Sequence, residues 1–243
     1  MRTAPVTKII EHSVVDGPGN RAAIFLQGCN FNCAYCHNPE TIDPSARPES
    51  LSVLTAEQVV ERVAGAVPFI RGLTISGGEC MLHAPFVYDV CSLAKQRFGA
   101  EFSCLLDSNG SLPFDLVLPV IDGVLLDVKA AGESTHEALT GAPLDPVLAS
   151  VTVLARAGKL IEVRTVVTGD GEEAFRCIEL VCCRIREAAG ADAVGRTGYK
   201  LIRYRPKGVR KEYLRNLKVP AAPSMERAVE HARQCGFNPV TAV

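Results

Sequence analysis

The sequence predicts an α/β protein with a mainly parallel sheet. Strand-like and helix-like runs alternate six times along the 243 residues, and the polar motifs fall almost entirely just past the strand-like runs. Such alternation is the mark of βα units joined by right-handed crossovers, which set strands side by side and gather their C-terminal ends on one rim. Six units predict an incomplete (β/α)6 TIM-type barrel with mainly parallel strands. On pattern alone a doubly wound open sheet fits equally well. The chain reads as a single domain, 1–243, without internal repeats or low-complexity stretches.

The runs follow in order. Arg21–Gln27 is a short apolar strand, and 38–52, with three prolines and many polar residues, is a loop. Ala56–Gly65 has helical apolar spacing, Gly72–Ser76 is β-rich and Pro85–Phe98 is a helix. Phe102–Leu106 is a strand, Pro113–Pro119 a short helical piece and Gly123–Val128 a strand. Pro146–Gly158 is helical and stops at its glycine, and Ile161–Val167 is a β-branched strand. Glu172–Ala189 is a helix and Tyr199–Tyr204 a strand. A C-terminal helix runs over about 224–236, capped by Ser224 and stopped near Gly236.

Composition narrows the function classes. Hydrophobic residues at 47% and charged residues at 22% fit a folded globular chain and exclude disorder as the main state. Lys plus Arg (26) balances Asp plus Glu (27), so charge gives no case for nucleic acid or a membrane as partner. No apolar run reaches the roughly 18 residues of a membrane span. The first residues show no apolar signal region, so the expected location is the cytoplasm.

Ten cysteines are many for such a chain, and in a reducing compartment they predict thiols rather than disulfides. Seven are scattered among apolar neighbours, where free cysteine packs as a small hydrophobe. Cys29, Cys33 and Cys36 crowd into eight residues. Thiols spaced C-x3-C-x2-C converge only if the chain wraps a common centre, and thiolates suit zinc or an iron–sulfur cluster. Zinc would ask for a fourth ligand, such as His37. A [4Fe–4S] cluster usually takes four cysteines, so three leave one iron open. Cys33 to His37 also matches the C-x-x-C-H haem-attachment pattern, and C-x-x-C alone can be a redox pair.

The remaining polar motifs follow successive strands: Ser76-Gly77-Gly78-Glu79, Asp107-Ser108-Asn109-Gly110, Asp127-Val128-Lys129 and Arg205-Pro206-Lys207-Gly208. In α/β folds ligands bind on that rim.

The motifs together resemble the radical SAM superfamily. The run from Val15-Asp16-Gly17-Pro18-Gly19-Asn20-Arg21 through Gly28-Cys29 to Tyr35-Cys36-His37-Asn38-Pro39 is similar to the activating enzymes of glycyl-radical enzymes, such as that of pyruvate formate-lyase. Phe69–Glu79, Leu118–Gly123 and Leu139-Thr140-Gly141 look most like the YjjW-type branch. That branch often carries a ferredoxin-like insert with eight more cysteines. No cysteine lies between Cys36 and Cys80 here, so one cluster is expected. The resemblance covers about residues 8–210.

The resemblance implies a [4Fe–4S] cluster held by Cys29, Cys33 and Cys36, with S-adenosylmethionine (SAM) on the open iron. It implies a 5′-deoxyadenosyl radical that abstracts hydrogen from a glycine of a partner enzyme, and an electron donor such as flavodoxin or ferredoxin. Tyr35 and His37 would lie beside the adenine and the cluster. Gly77 and Gly78 would let backbone approach the methionyl amine, and Glu79 would accept from it. Asp107, Ser108 and Asp127 would hold a monovalent cation beside the SAM carboxylate, with Lys129 near that carboxylate and the ribose. Arg21 and Arg164 match basic positions facing the partner's glycyl loop. Arg205 stands where the family often has a ribose-contacting histidine. Alternatives are a radical SAM enzyme for a small nucleoside or deazapurine-like molecule, and a zinc-binding interaction domain.

Overall fold

The computed structural model describes residues 2–243. It is a mixed α/β fold with nine strands and seven α-helices among the described residues. The strands run in one mostly parallel sheet, ordered β3-β1-β2-β4-β5-β6-β7-β8-β9, which does not close. The chain divides into two compact units. One comprises residues up to 30, 40–108 and 112–124; the other comprises 31–39, 109–111 and 125–243.

The first unit holds β1 (Thr3–Ser13), β2 (Arg21–Leu26), β3 (Ser52–Thr55), α1 (Ala56–Ala64), β4 (Gly72–Gly77), α2 (Ala84–Phe98) and β5 (Ser103–Ser108). β2, β4 and β5 pair in parallel, and β1 pairs antiparallel with β2 and β3. β4 is buried through Leu73, Thr74 and Ile75 and reads as a continuous apolar run, as a strand covered on both faces must. α1 starts in a capping box, with Thr55 accepting from the Gln58 amide while the Gln58 side chain accepts from the Thr55 amide. Its buried Val59, Val60 and Val63 share one face.

β6 (Gly123–Asp127) is followed by α3 (Glu133–Thr140), α4 (Asp145–Arg156), β7 (Leu160–Val167), α5 (Glu172–Ala189), α6 (Ala191–Gly195), β8 (Gly198–Arg203), α7 (Ala222–Cys235) and β9 (Val240–Ala242). β7, β8 and β9 are parallel. The second unit's core includes Val151, Leu154, Val163, Ile178, Val181 and Tyr199, all fully buried. The Tyr199 hydroxyl is satisfied by Thr165 Oγ1 at 2.8 Å, as a buried phenol requires.

Several local expectations are corrected. Pro113–Pro119 forms turns, not a helix. The last helix begins at Ala222, with Ala221 at the cap and Pro223 in its first turn, so Ser224 lies inside it. β1, β3, β9, α3 and α6 add to the predicted elements. Among the described residues no single helix is long and apolar enough to cross a membrane.

Candidate active site

In the first unit the segments following β2 and β4 are bound to each other by backbone. The Gly78 amide donates to Leu26 O at 3.0 Å and the Glu79 amide to Gly28 O at 2.8 Å. A Cβ on Gly77 would sit 2.2 Å from Leu26 O, and one on Gly78 would sit 2.1 Å from Gly28 O. Only glycine allows that approach. The Cys29 segment is tied on its other side, where the Gly28 and Cys29 amides donate to Thr41 O and Ile42 O at 2.9 and 3.0 Å. Gln27, fully buried, donates from Nε2 to Glu40 O and Asp43 O, both at 2.8 Å. These bonds shape the chain on both sides of the first cysteine.

Glu79 is fully buried and caps the short turn Cys80–His83. Its Oε1 accepts from the Met81 amide at 2.9 Å and from Ser108 Oγ at 2.7 Å. Beside it Ser76 Oγ donates to Asp107 Oδ2 at 3.0 Å. The ends of β4 and β5 thus present two carboxylates, each accepting from a serine hydroxyl of the other strand. Cys80, buried against Glu79 and Asp107, has its thiol pushed well up, by burial first and then by those carboxylates. It is a core thiol.

In the second unit the segment 31–39 carries Cys33 and Cys36. It is bound to the end of α3, where the Asn32 and Ala34 amides donate to Thr140 O and Leu139 O at 2.7 and 2.8 Å. Gly141, left-handed at φ 74°, ends α3 there. His136 supports the same segment from below. It is buried, meets the Phe31 ring edge-to-face at 5.5 Å, and donates from Nδ1 to Ala142 O at 2.9 Å. Arg210 donates from Nη2 to Asn32 O and Cys33 O at 3.2 and 3.0 Å. His37 donates from Nε2 to Arg205 O at 3.0 Å.

Lys129 and Asp127 form an ion pair at 2.8 Å, and the ammonium lies 5.8 Å over the Tyr35 ring. Burial disfavours the Lys129 charge, but Asp127, Cys33 and Tyr35 outweigh it and hold its proton well above the ordinary lysine range. Burial pushes the Cys33 thiol up, and Lys129 opposes that push. Tyr35 is buried, and its hydroxyl is likewise raised, chiefly by burial.

The structure therefore groups Ser76, Gly77, Gly78, Glu79, Asp107 and Ser108 in one unit, and Cys33, Tyr35, Asp127 and Lys129 in the other. Cys29 belongs to the first unit, Cys36 and His37 to the second. Arg205 is exposed and meets His37 through its backbone. Arg21 is no surface residue. It is 2% exposed at the opposite end of β2 from Cys29, where it donates to Leu73 O, Ser103 O and Thr74 Oγ1 at 2.8–2.9 Å. Arg164 is also buried, paired with Glu162 at 2.7 Å. Reasoning from sequence missed His136 and Arg210. Leu139-Thr140-Gly141 was the signal for the first, while an arginine in a basic run gave none for the second.

By residue type Cys29, Cys33 and Cys36 suit an iron–sulfur centre, although among the described residues no three His, Cys, Asp or Glu side chains are gathered closely enough to hold a metal ion. Thiolates are the ligands of such a centre, Cys29 and Cys36 are half-buried, and Cys33 has an ammonium near it. The comparisons agree with that chemistry. The radical SAM superfamily model matches residues 23–176. A Haemophilus influenzae chain classed among glycyl-radical enzyme activating enzymes is 32% identical over 98% of this chain and 96% of its own. The pyruvate formate-lyase 1-activating enzyme of Escherichia coli strain K12 is 31% identical over 91% of this chain and 92% of its own. Among solved structures, QueE from Escherichia coli aligns with a TM-score of 0.62 at 14% identity, over 99% of this chain and 94% of its own, a likeness of fold alone.

The fold and the cysteine-bearing segment thus define a radical SAM enzyme. The chain belongs to the radical SAM superfamily, as a homologue of the glycyl-radical enzyme activating enzymes. Membership implies a [4Fe–4S] cluster and S-adenosylmethionine.

Proposed function

We propose that this chain activates a glycyl-radical enzyme. When bound, the cluster supplies one-electron cleavage of SAM to a 5′-deoxyadenosyl radical, which takes a hydrogen atom from a backbone glycine of the partner. In this reading Cys29, Cys33 and Cys36 hold the single cluster. Glu79 accepts from the SAM ammonium, with Gly77 and Gly78 beside it. Asp107, Ser108 and Asp127 hold a monovalent cation, and Lys129 faces the SAM carboxylate. Tyr35 and His37 flank adenine and cluster, and Arg205 replaces the ribose-contacting histidine. The whole chain acts as one functional domain in the cytoplasm, supplied by flavodoxin or ferredoxin. No nucleic acid or membrane takes part.

The observation that carries the reading is the segment 31–39, bound to the end of α3 with Cys33 near the Lys129–Asp127 pair, in a chain matched end to end by activating enzymes. Tyr35 and Lys129 offer an aromatic face and a positive charge, which suit an adenine and a carboxylate. A reactive radical needs water excluded, so the partner's glycyl loop must itself fill the pocket.

The test is electron paramagnetic resonance of the reduced enzyme with SAM and candidate partners, each as wild type and with the radical glycine changed to alanine. A carbon-centred doublet seen only with the wild-type partner is the expected result. Rapid SAM turnover on a small metabolite, with no such doublet in any mixture, would overturn the proposal.

A further inference from the structure

We propose that the exposed basic strap from Arg205 to Lys218 is the docking surface for an acidic one-electron carrier protein. This inference rests on the reading of the chain as an enzyme that must receive an electron. The chain as a whole is near neutral, with 26 basic and 27 acidic residues, so a local excess of one sign is informative. The strap holds six basic residues and one acidic, Glu212. Arg205 is assigned to the SAM ribose; Lys207, Lys211, Arg215 and Lys218 are exposed, and none of the four has an ion-pair partner among the described residues. Four charges of one sign on fourteen residues give this surface a local positive potential that steers an anionic partner.

The placement of the strap argues what that partner is. The first part of the strap, Arg205–Arg210, lies against the cysteine-bearing segment, and its far end is held where the Lys218 carbonyl accepts from the Gly169 amide at 2.8 Å. Arg210 is its internal anchor, bonded to Asn32 O and Cys33 O and stacked 4.7 Å over the Tyr213 ring. The Arg205 carbonyl accepts from His37. Gly208 approaches so closely that a Cβ there would sit 2.9 Å from His37 O. An anionic protein attracted to the strap is thereby brought against the residues around Cys33. Leu214 is an exposed apolar residue in the same strap. In the transfer itself one electron leaves the carrier's reduced cofactor and enters the cluster. The carrier is oxidised by one electron, the cluster is reduced by one, no covalent bond is made or broken, and any proton the carrier releases goes to water.

The probe is an acidic flavodoxin in its fully reduced form, mixed anaerobically with the iron-loaded enzyme. Cluster bleaching is followed by stopped flow, and binding of labelled oxidised flavodoxin by fluorescence anisotropy. Photoreduction with a deazaflavin is the control that needs no docking. The variant Lys211→Glu/Arg215→Glu/Lys218→Glu should slow reduction by flavodoxin at least about tenfold at low salt and abolish flavodoxin binding, with photoreduction unchanged. Added salt should slow the wild type, because exposed charges are screened, and leave the variant nearly unaffected. If the triple variant loses iron, Lys211→Gln/Lys218→Gln should still lower the rate and flatten the salt dependence.

Equal rates for wild type and both variants would overturn the docking surface. So would a photoreduced variant that makes no glycyl radical, since the strap would then serve the glycyl-radical enzyme. Failure of flavodoxin to reduce the wild type while photoreduction works would overturn the surface and leave the activase reading standing. A chain that takes up no iron would overturn both.

Discussion

Thr140 O accepts from the Asn32 amide at 2.7 Å, so the last residue of α3 is bonded directly to the segment that carries two of the three clustered cysteines. A helix of eight residues with little apolar surface thereby has a use beyond packing, since its C-terminal carbonyls, left unsatisfied by the helix itself, hold the backbone on both sides of Cys33. The thiols are thus placed by backbone as much as by their own packing.

Iron content should therefore depend on three thiols only. Replacing each of the ten cysteines by alanine in turn, Cys29, Cys33 and Cys36 should prove indispensable for about four irons per chain. Buried Cys91, Cys104 and Cys177 should prove dispensable, although each replacement leaves a small core cavity. Anaerobic iron analysis with absorbance in the 400-nm region (about where thiolate-bound clusters absorb) makes the comparison. A requirement for Cys104 equal to that for Cys33 would refute the ligand assignment.

Glu79→Gln separates the two roles of that side chain. A glutamine carbonyl can still accept from the Met81 amide and Ser108 Oγ, so the turn should fold as before. In the proposed function this carboxylate faces the SAM ammonium, so the loss of its charge should cost about 1.5–3 kcal/mol or roughly 10- to 150-fold in affinity. Titrating SAM into the iron-loaded variant reads this directly, and unchanged affinity would remove Glu79 from the pocket.

Gly78→Ala and Gly65→Ala should differ in sign. The first drives a Cβ to within 2.1 Å of Gly28 O, a backbone atom that cannot step aside. The loss should be about 1–3 kcal/mol or more. Gly65 caps α1 with φ −65° and has nothing within 4 Å of its would-be Cβ. There alanine should stabilise by about 0.4–1 kcal/mol through the unfolded chain. Denaturant unfolding of both variants under argon is the measurement, and a wild-type midpoint for Gly78→Ala would contradict the close approach.

His136 should make stability fall in mild acid. Burial is the main cause of its lowered pKa, below the ordinary 6.5. The unfolded chain therefore binds a proton before the folded one does. The contribution is complete above the unfolded value and is lost as pH falls through the folded one. Unfolding curves from pH 7.5 to 5 should show a steeper loss for wild type than for His136→Gln. Parallel curves would mean that His136 is not held neutral.

The sequence made the central βα units legible because their physics is local. β4 is a continuous apolar run, and α1 carries its cap and apolar stripe in consecutive residues. The elements it hid lack such signals. β1 is half-exposed and carries charges on its open face, so its alternation is blurred. β3 and β9 have four and three residues, too few for a period. α3 buries only His136 and Thr140, so its inner face is polar and no stripe marks it. Pro113–Pro119 misled through composition, its two prolines bracketing turns. In the candidate site the residue types were readable from motif order, but the carbonyls and Arg210 that hold the cysteine segment were not. Those contacts join residues more than a hundred positions apart.

The remaining thiols set how the enzyme meets an alkylating reagent. Cys80, Cys91 and Cys177 are buried with their ionisation pushed up, chiefly by burial at Cys80 and Cys177 and by the Cys104 thiol at Cys91. Since the thiolate is the attacking form, iodoacetamide should pass them by. Cys183 is exposed and should modify with or without iron, so its labelling would count molecules. If Cys29 and Cys36, both half-buried, hold the cluster as proposed, they should modify only when iron is missing, and the ratio of their labelling to that of Cys183 would then be a chemical gauge of cofactor occupancy, readable on peptides without any assay of activity.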